Sequence, residues 1–150
     1  MKKFLLSIDQ GTTSSRVILY NKNFKVIDAV QKEFKQYFPK NGWVEHDALE
    51  IWKDIKYLIN KIIKRNKIKS INIFSIGITN QRETTVLWNK KNGKPIHKAI
   101  VWQDRRTADY CKLLIKKRLD KKIQKITGLI VDPYFSATKI KWILDNNNKA

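Results

Sequence analysis

Cysteine occurs once in these 150 residues, histidine twice and proline three times. A single thiol, Cys111, excludes a disulfide framework and a thiolate metal cluster. Its neighbours Tyr110, Lys112, Leu113 and Leu114 place it on a helix, where a lone cysteine is a small core residue. Long apolar runs are also missing, so nothing in the sequence approaches the length that spans a bilayer. Lys2 and Lys3 precede an apolar stretch, but Asp9 interrupts it too early for a signal peptide. A soluble, cytoplasmic protein is expected. Acidic residues are scarce as well: 13 against 32 basic ones, a formal charge of +19. That excess points to an anionic partner. It is mostly lysine rather than the planar fork of arginine, and it scatters along the whole chain. Lys, Asn and Ile are abundant together, the mark of compositional drift. A basic nucleic-acid-binding domain stays as the competing reading. It predicts clustered Lys and Arg with exposed aromatics, and binding that weakens steeply with salt.

One stretch dominates what is present. Phe4 to Ile8 and Val17 to Tyr20 are short apolar runs, read as strands, around the polar turn Asp9 to Arg16. The turn carries one carboxylate, one glycine, four hydroxyls and one guanidinium. Small side chains and converging backbone N–H groups suit phosphate oxygens. Asp9, at the end of the first strand, suits a magnesium ion held through water. The loop matches neither Gly-rich phosphate motif, and an ordinary hairpin with a solvated Asp fits it equally well.

The remaining pattern is mixed α/β, with 150 residues sufficient for one domain. Asn21 to Asn23 makes a second turn, and Lys25 to Val30 opens a third strand. Gln36 to His46 reads as a loop. Glu45, His46 and Asp47 point in different directions and lack a second histidine at ligand spacing, so the loop is structural, with Asp47 as a helix cap. Ile51, Trp52, Ile55, Leu58, Ile59, Ile62 and Ile63 recur at helical spacing and predict an amphipathic helix with that stripe inward. Ile71 to Thr79 predicts a buried strand. A second hairpin is expected from Thr84–Trp88 and Ile96–Trp102. Helices are predicted over Arg105–Leu119, Lys121–Ile126 and Phe135–Asp145, the last with Ile140, Ile143 and Leu144 inward and Trp142 packed beside them. Asn146 to Ala150 reads as a polar tail. No linker divides the chain into two domains.

Gly77-Ile78-Thr79-Asn80-Gln81-Arg82-Glu83-Thr84-Thr85 follows the strand. Its donors and acceptors suit a ligand with several hydroxyls, although on chemistry alone it reads as an exposed turn with an adjacent ion pair.

The stretch Asp9 to Arg16 resembles the first phosphate-binding hairpin of the FGGY carbohydrate kinases, and Gly77 to Thr85 resembles the polyol-recognition segment of their glycerol-phosphorylating members. Gly42 to Asp47, Ala99 to Thr107, and Gly128 to Ser136 running into Lys139 to Asp145 also match, in the family's order and spacing. The resemblance implies an α/β actin-like ATPase (ribonuclease H-like) domain, of which residues 1–150 form an incomplete N-terminal half. It implies transfer of the ATP γ-phosphate to glycerol with Mg2+. A kinase for another polyol or a ketose is the alternative within the family, since its members share a similar hairpin. By the same resemblance, Thr12, Thr13, Ser14 and Arg16 contact the nucleotide phosphates, Thr12 also lies near the product phosphate, and Asp9 lies near magnesium. Arg82, Glu83 and Tyr134 hydrogen-bond the glycerol hydroxyls, and Trp102 walls its carbon backbone, although ordinary core packing is the usual fate of such aromatics. The family's general base, an aspartate in a later Gly-Asp-Gln segment, and its adenine pocket are expected beyond residue 150. No catalytic residue is therefore assigned within the chain, and the chain alone is expected to be inactive. The resemblance also implies a homo-oligomer, dimer or tetramer, for the intact enzyme.

Overall fold

Short apolar runs in the first 34 positions call for strands, and the computed structural model, which describes residues 3–147, joins them in a sheet. Strands β1 (Phe4–Gln10), β2 (Ser14–Asn21) and β3 (Val26–Glu33) run antiparallel, and β5 (Ile73–Thr79) pairs parallel to β1, in the order β3-β2-β1-β5. A parallel partner requires a crossover, which helix α1 (Ala48–Arg65) supplies. The register sets Leu6 opposite Leu19, Ile8 opposite Val17 and Asp9 opposite Arg16. Leu6, Ile8, Val17, Leu19 and Val30 are buried with Leu58 and Ile62 of α1, while Ile55, Ile59 and Ile63 pack against the cluster.

Two expectations fail in this unit. Trp52 lies outside the stripe, 56% exposed, with the Lys56 ammonium 5.4 Å from its ring centroid. Asp54 takes the inward position instead, one turn before Leu58, and is paired with Lys32 of β3. Nor is β5 buried: Phe74, Ile76 and Ile78 are exposed. Ile76 and Ile78 stand in register with the buried Leu6 and Ile8, but the described helix that covers β1 leaves β5 open.

The end of α1 is clamped to β3. The Arg65 Nε–H donates to Asp28 Oδ2 at 2.7 Å, a second Arg65 nitrogen reaches the other oxygen, and the Asn66 amide donates at 2.6 Å. The Arg65 hydrogen bond is the main reason that the Asp28 carboxyl falls from 3.8 to about 2. A carboxylate whose folded pKa is depressed contributes stability that is present above its unfolded value and lost as pH falls through the folded one. Asp28→Asn is therefore expected to flatten the acid limb of stability between about pH 4 and 2. Thermal melts of both proteins across that window check it; identical acid slopes would remove Asp28 from the account.

Residues 36–48 and those from 82 onward form a second compact unit, the first comprising residues up to 35 together with 49–81. Here β4 (Glu45–His46) pairs antiparallel with β6 (Ala99–Ile100), so part of the expected loop is strand. His46 is buried with its Nε2 2.6 Å from Gln36 Oε1, and no His, Cys, Asp and Glu cluster suits a metal among the described residues. The expected second hairpin shrinks to isolated bridges, Thr85 with Ile100 and Trp88 with Pro95. Pro95 has no N–H to continue a ladder. Helices α2 (Ala108–Lys116) and α3 (Asp120–Thr127) follow, and Gly128 closes α3 at a φ of 74° that favours glycine. Cys111 is buried on α2, as expected. In α4 (Ser136–Asn146) the buried residues are Lys139 and Ile143, while Ile140 and Leu144 are exposed, which corrects the predicted inner face. Trp142 does pack, edge-on to Trp43 at 5.1 Å. Of the expected polar tail Asn146 to Ala150, Asn146 belongs to α4, and residues 148–150 lie outside the described residues. No described helix is long and apolar enough to cross a membrane.

Candidate functional site

The first group of candidate residues sits at the β1–β2 tip, in the first unit. Antiparallel register places the Asp9 and Arg16 side chains together, and the Arg16 Nη2 donates to Asp9 Oδ2 at 2.8 Å. Both side chains are well exposed, and exposed pairs contribute at most about 1 kcal/mol. The pair orients the guanidinium without holding it irreversibly, so a phosphate can compete for it.

The tip closes where the Gly11 N–H donates to the Ser14 carbonyl at 3.0 Å. A Cβ on Gly11 would stand 3.2 Å from that carbonyl, closer than ordinary contact, so the narrow turn depends on glycine there. Thr13 is exposed, while Thr12 and Ser14 are half-buried. Three glutamines brace the backbone and hydroxyls around them. Ser15, fully buried, donates to Gln10 Oε1 at 2.6 Å; the Gln31 amide donates to Ser14 Oγ at 3.0 Å; the Gln81 amide donates to the Gly11 carbonyl at 2.9 Å. Sequence reasoning missed this collar, because glutamines spread over 72 positions carry no spacing signal. A Ser14 hydroxyl that accepts from Gln31 still has its own proton to donate. For magnesium the donor set here is one carboxylate, Asp9. That fits an ion that keeps most of its waters and takes its remaining ligands from phosphate, and does not fit a fully protein-ligated one.

The second group lies in the second unit. Arg82 is exposed and Glu83 half-buried. Glu83 has a φ of 60°, a left-handed conformation that costs a glutamate about 1–2 kcal/mol. Tyr134 is fixed by its N–H, which donates to Asp132 Oδ1 at 2.7 Å. Its ring meets Trp102 at 5.9 Å between centroids, inclined by 63°, and Phe135 at 5.1 Å. From α4, Ser136 Oγ lies 3.4 Å from Glu83 Oε2, and the Lys139 ammonium donates to the Glu83 carbonyl at 2.8 Å and the Tyr134 carbonyl at 2.6 Å. The structure thus gathers a carboxylate, a phenol and an indole face around one helix start, a set able to accept from hydroxyls and wall a short carbon chain. Burial pushes the Lys139 amine down to about 8, against the opposing charges of Asp104, Glu83 and Asp132.

A third assembly underlies this one and was not foreseen. Arg106, its side chain wholly buried, meets Asp104 with Nε and Nη2 at 2.9 and 2.8 Å and Glu45 with Nη2 at 2.8 Å. Its guanidinium carbon lies 3.9 Å from the Trp43 ring centroid and 4.6 Å from that of Trp142. Asp104 also accepts from the Val44 N–H at 2.6 Å. The node ties the β4 segment to the loop after β6, from which Trp102 projects.

Residues 4–150 match the family model described as the FGGY family of carbohydrate kinases, N-terminal domain. The glycerol kinase of Geobacillus sp. (strain WCH70) is 56% identical over 146 residues, covering 97% of this chain and 29% of the relative. Among solved structures, the Plasmodium falciparum glycerol kinase with ADP superposes with a TM-score of 0.90 at 38% identity, over 97% of this chain and 29% of that one. A gluconate kinase from Lactobacillus acidophilus reaches 0.87 at 22% identity, over 96% and 28% of the two chains, a likeness of fold alone. The fold is therefore that of the actin-like carbohydrate kinases, and the chain spans about 29% of the length of the relatives it matches.

Proposed function

The chain belongs to the FGGY family of carbohydrate kinases, and from that premise we propose that it supplies the phosphate-holding and polyol-holding parts of an enzyme that transfers the ATP γ-phosphoryl group to a terminal hydroxyl of glycerol. Residues 1–150 correspond to the first part of the family's first domain, with the general base and adenine pocket on segments outside them. The observation that carries the substrate assignment is the grouping of Glu83, Tyr134 and Trp102 at the start of α4. The 56% identity to a glycerol kinase supports it. The family match over residues 4–150 argues against reading the +19 charge as a nucleic-acid surface.

In this reading Thr12, Thr13, Ser14 and Arg16 donate to the nucleotide phosphates, with Thr12 also near the phosphate of the product. Arg82 donates to one glycerol hydroxyl, Glu83 accepts from the next, Tyr134 hydrogen-bonds a third, and Trp102 covers the carbon side. Phosphoryl transfer asks mainly for in-line positioning and neutralised charge. Asp9 would hold magnesium through water, and the ion would offset negative charge on the phosphoryl oxygens. The Asp9–Arg16 pair keeps a cation and an anion at the tip, ready to separate onto metal and phosphate.

The test is a hybrid in which this chain replaces the matching 146 residues of the Geobacillus relative. Glycerol-dependent ADP release is expected from the hybrid, with the unfused chain as the zero. Arg16→Ala is expected to lower kcat more than it raises the glycerol KM, since donors that act chiefly in the transition state are lost from turnover. An unchanged rate in Arg16→Ala and Thr13→Ala would reduce the hairpin to a structural turn. A hybrid that phosphorylates a ketose but not glycerol would overturn the substrate assignment.

A further inference from the structure

Lys139, at 0% exposure, is the largest residue that is buried over its whole length, main chain included, among the described residues. A buried ammonium is unfavourable unless its donors are satisfied. Two of its three protons go to main-chain carbonyls, those of Glu83 and Tyr134, 51 residues apart. The first of these residues holds a left-handed backbone that glutamate disfavours. The second carries the phenol that meets Trp102. The lysine therefore lies between the backbones of two candidate hydroxyl-binding residues.

Stability alone does not account for a lysine here. Burial depresses its pKa from 10.5 to about 8. A lysine whose folded pKa lies below its unfolded value opposes folding while charged. The penalty is fully present below about pH 8 and is relieved as pH rises toward the unfolded value. An apolar side chain of similar volume would avoid that penalty, as replacements of buried charges often do. What it could not do is donate to two carbonyls from one point.

We propose that Lys139 is a positioning residue of the polyol half-site, whose ammonium locks Glu83 in its left-handed conformation and sets the spacing between Glu83 and Tyr134. This rests on the polyol reading of those two residues. Lys139 itself touches no substrate; it acts through the main chain of the groups that do. The charged groups around the ammonium are Glu83 after β5, Asp104 after β6 and Asp132 before α4, and all three favour its protonated form. Ser136, one turn earlier on α4, steadies the Glu83 carboxylate from the same helix.

The test uses the full 150-residue chain, labelled with 13C and 15N, with glycerol as the probe. In the unsubstituted protein the Lys139 side-chain carbons are expected to titrate near pH 8, with the carbonyl carbons of Glu83 and Tyr134 following the same curve. Glycerol is expected to shift the Glu83 amide and the Trp102 indole N–H, with an affinity that weakens as pH rises through that titration. Lys139→Met keeps the volume and removes the donors. It is expected to move the Glu83 backbone shifts out of the left-handed range, to weaken glycerol binding at least about fivefold, and to abolish the pH dependence. The titration of the unsubstituted protein needs no variant, so it decides even if Lys139→Met does not fold. Carbonyl shifts that ignore the Lys139 titration, or a Glu83 that stays left-handed in a folded Lys139→Met, would overturn the positioning role. If the carbonyls follow Lys139 but glycerol moves nothing in the unsubstituted chain, the positioning role stands and the polyol reading fails for this chain.

Discussion

Replacing Glu83 with alanine in the hybrid enzyme is expected to raise the glycerol KM at least about tenfold while the ATP KM stays near its starting value. A triol offers little apolar surface, so its recognition depends on hydrogen bonds to hydroxyls in fixed places. Removing the acceptor leaves a substrate hydroxyl without a partner in a partly buried site, which costs about 1–3 kcal/mol, and about 1.4 kcal/mol is tenfold. The backbone is not expected to move, because alanine pays a similar left-handed penalty and the Lys139 bond is to the carbonyl, which alanine retains. Arg82→Ala is expected to act in the same direction. Trp102→Ala removes a wall and not a hydrogen bond, so it should relax the preference over a four-carbon polyol more than it raises the glycerol KM. Steady-state kinetics with glycerol, the four-carbon polyol and a ketose separates these outcomes. Glycerol KM values near wild type in both polar variants would sink the glycerol assignment.

How far the sequence predicts this structure depends on whether an element follows its apolar pattern. β1, β2 and β3 were legible as strands from their short apolar runs, but not their extents: Asp9, Gln10 and Ser14 to Arg16, read as turn, pair across the hairpin. α1 shows where the rule bends. Leu58 and Ile62 take the inner face as predicted, but the third member of that row is Asp54 and not Trp52. α4 repeats the lesson. Counting apolar residues chose Ile140, Ile143 and Leu144, whereas the buried row is Lys139 and Ile143. In both helices an ionisable residue lies one turn before a buried aliphatic one, at the spacing that shares a face. That spacing was visible; what hid it was the assumption that a lysine or aspartate marks the solvent side. β5 failed for the opposite reason. Its apolar run is real, but burial is a property of what covers a strand, and the described residues leave Phe74 and Ile78 uncovered.

The candidate site divides in the same way. The hairpin tip and the Arg82–Glu83 turn were legible through the family resemblance, since on residue chemistry alone each reads at least as well as an ordinary turn. The left-handed backbone of Glu83 was not, since no glycine or asparagine marks it. The glutamine collar around Gly11 and the carbonyl bridge from Lys139 join residues distant in sequence, and a single sequence has no term for such pairs. Arg106 lay inside a matched segment, yet the run Asp104-Arg105-Arg106 does not say which arginine turns inward.

The structure answers that, and it sets two neighbouring substitutions far apart in effect. Arg106→Ala is expected to destabilise the chain by about 3–5 kcal/mol, the range for breaking a buried ion pair from one side. The loss would strand the Asp104 carboxylate, only 1% exposed, and remove the Glu45 partner beside it. It would also empty the space between Trp43 and Trp142, where the guanidinium lies 3.9 and 4.6 Å from the ring centroids. Arg106→Lys is expected to recover little of this, since an ammonium cannot serve Asp104 in two places and Glu45 together, nor stack as a plane. Arg105→Ala provides the contrast. That side chain is exposed and reaches a single carboxylate, Asp132, at 3.3 Å, so its removal should cost under about 1 kcal/mol. Urea unfolding of the three variants measures the difference directly. Against a domain stability of about 5–15 kcal/mol, the Arg106 variants should melt early or fail to fold, while Arg105→Ala should unfold close to wild type. If Arg106→Ala and Arg105→Ala shift the midpoint alike, Asp104 and Glu45 find water or other partners once the guanidinium is gone. The Arg106 node would then not be what holds the Trp102 loop to the β4 segment.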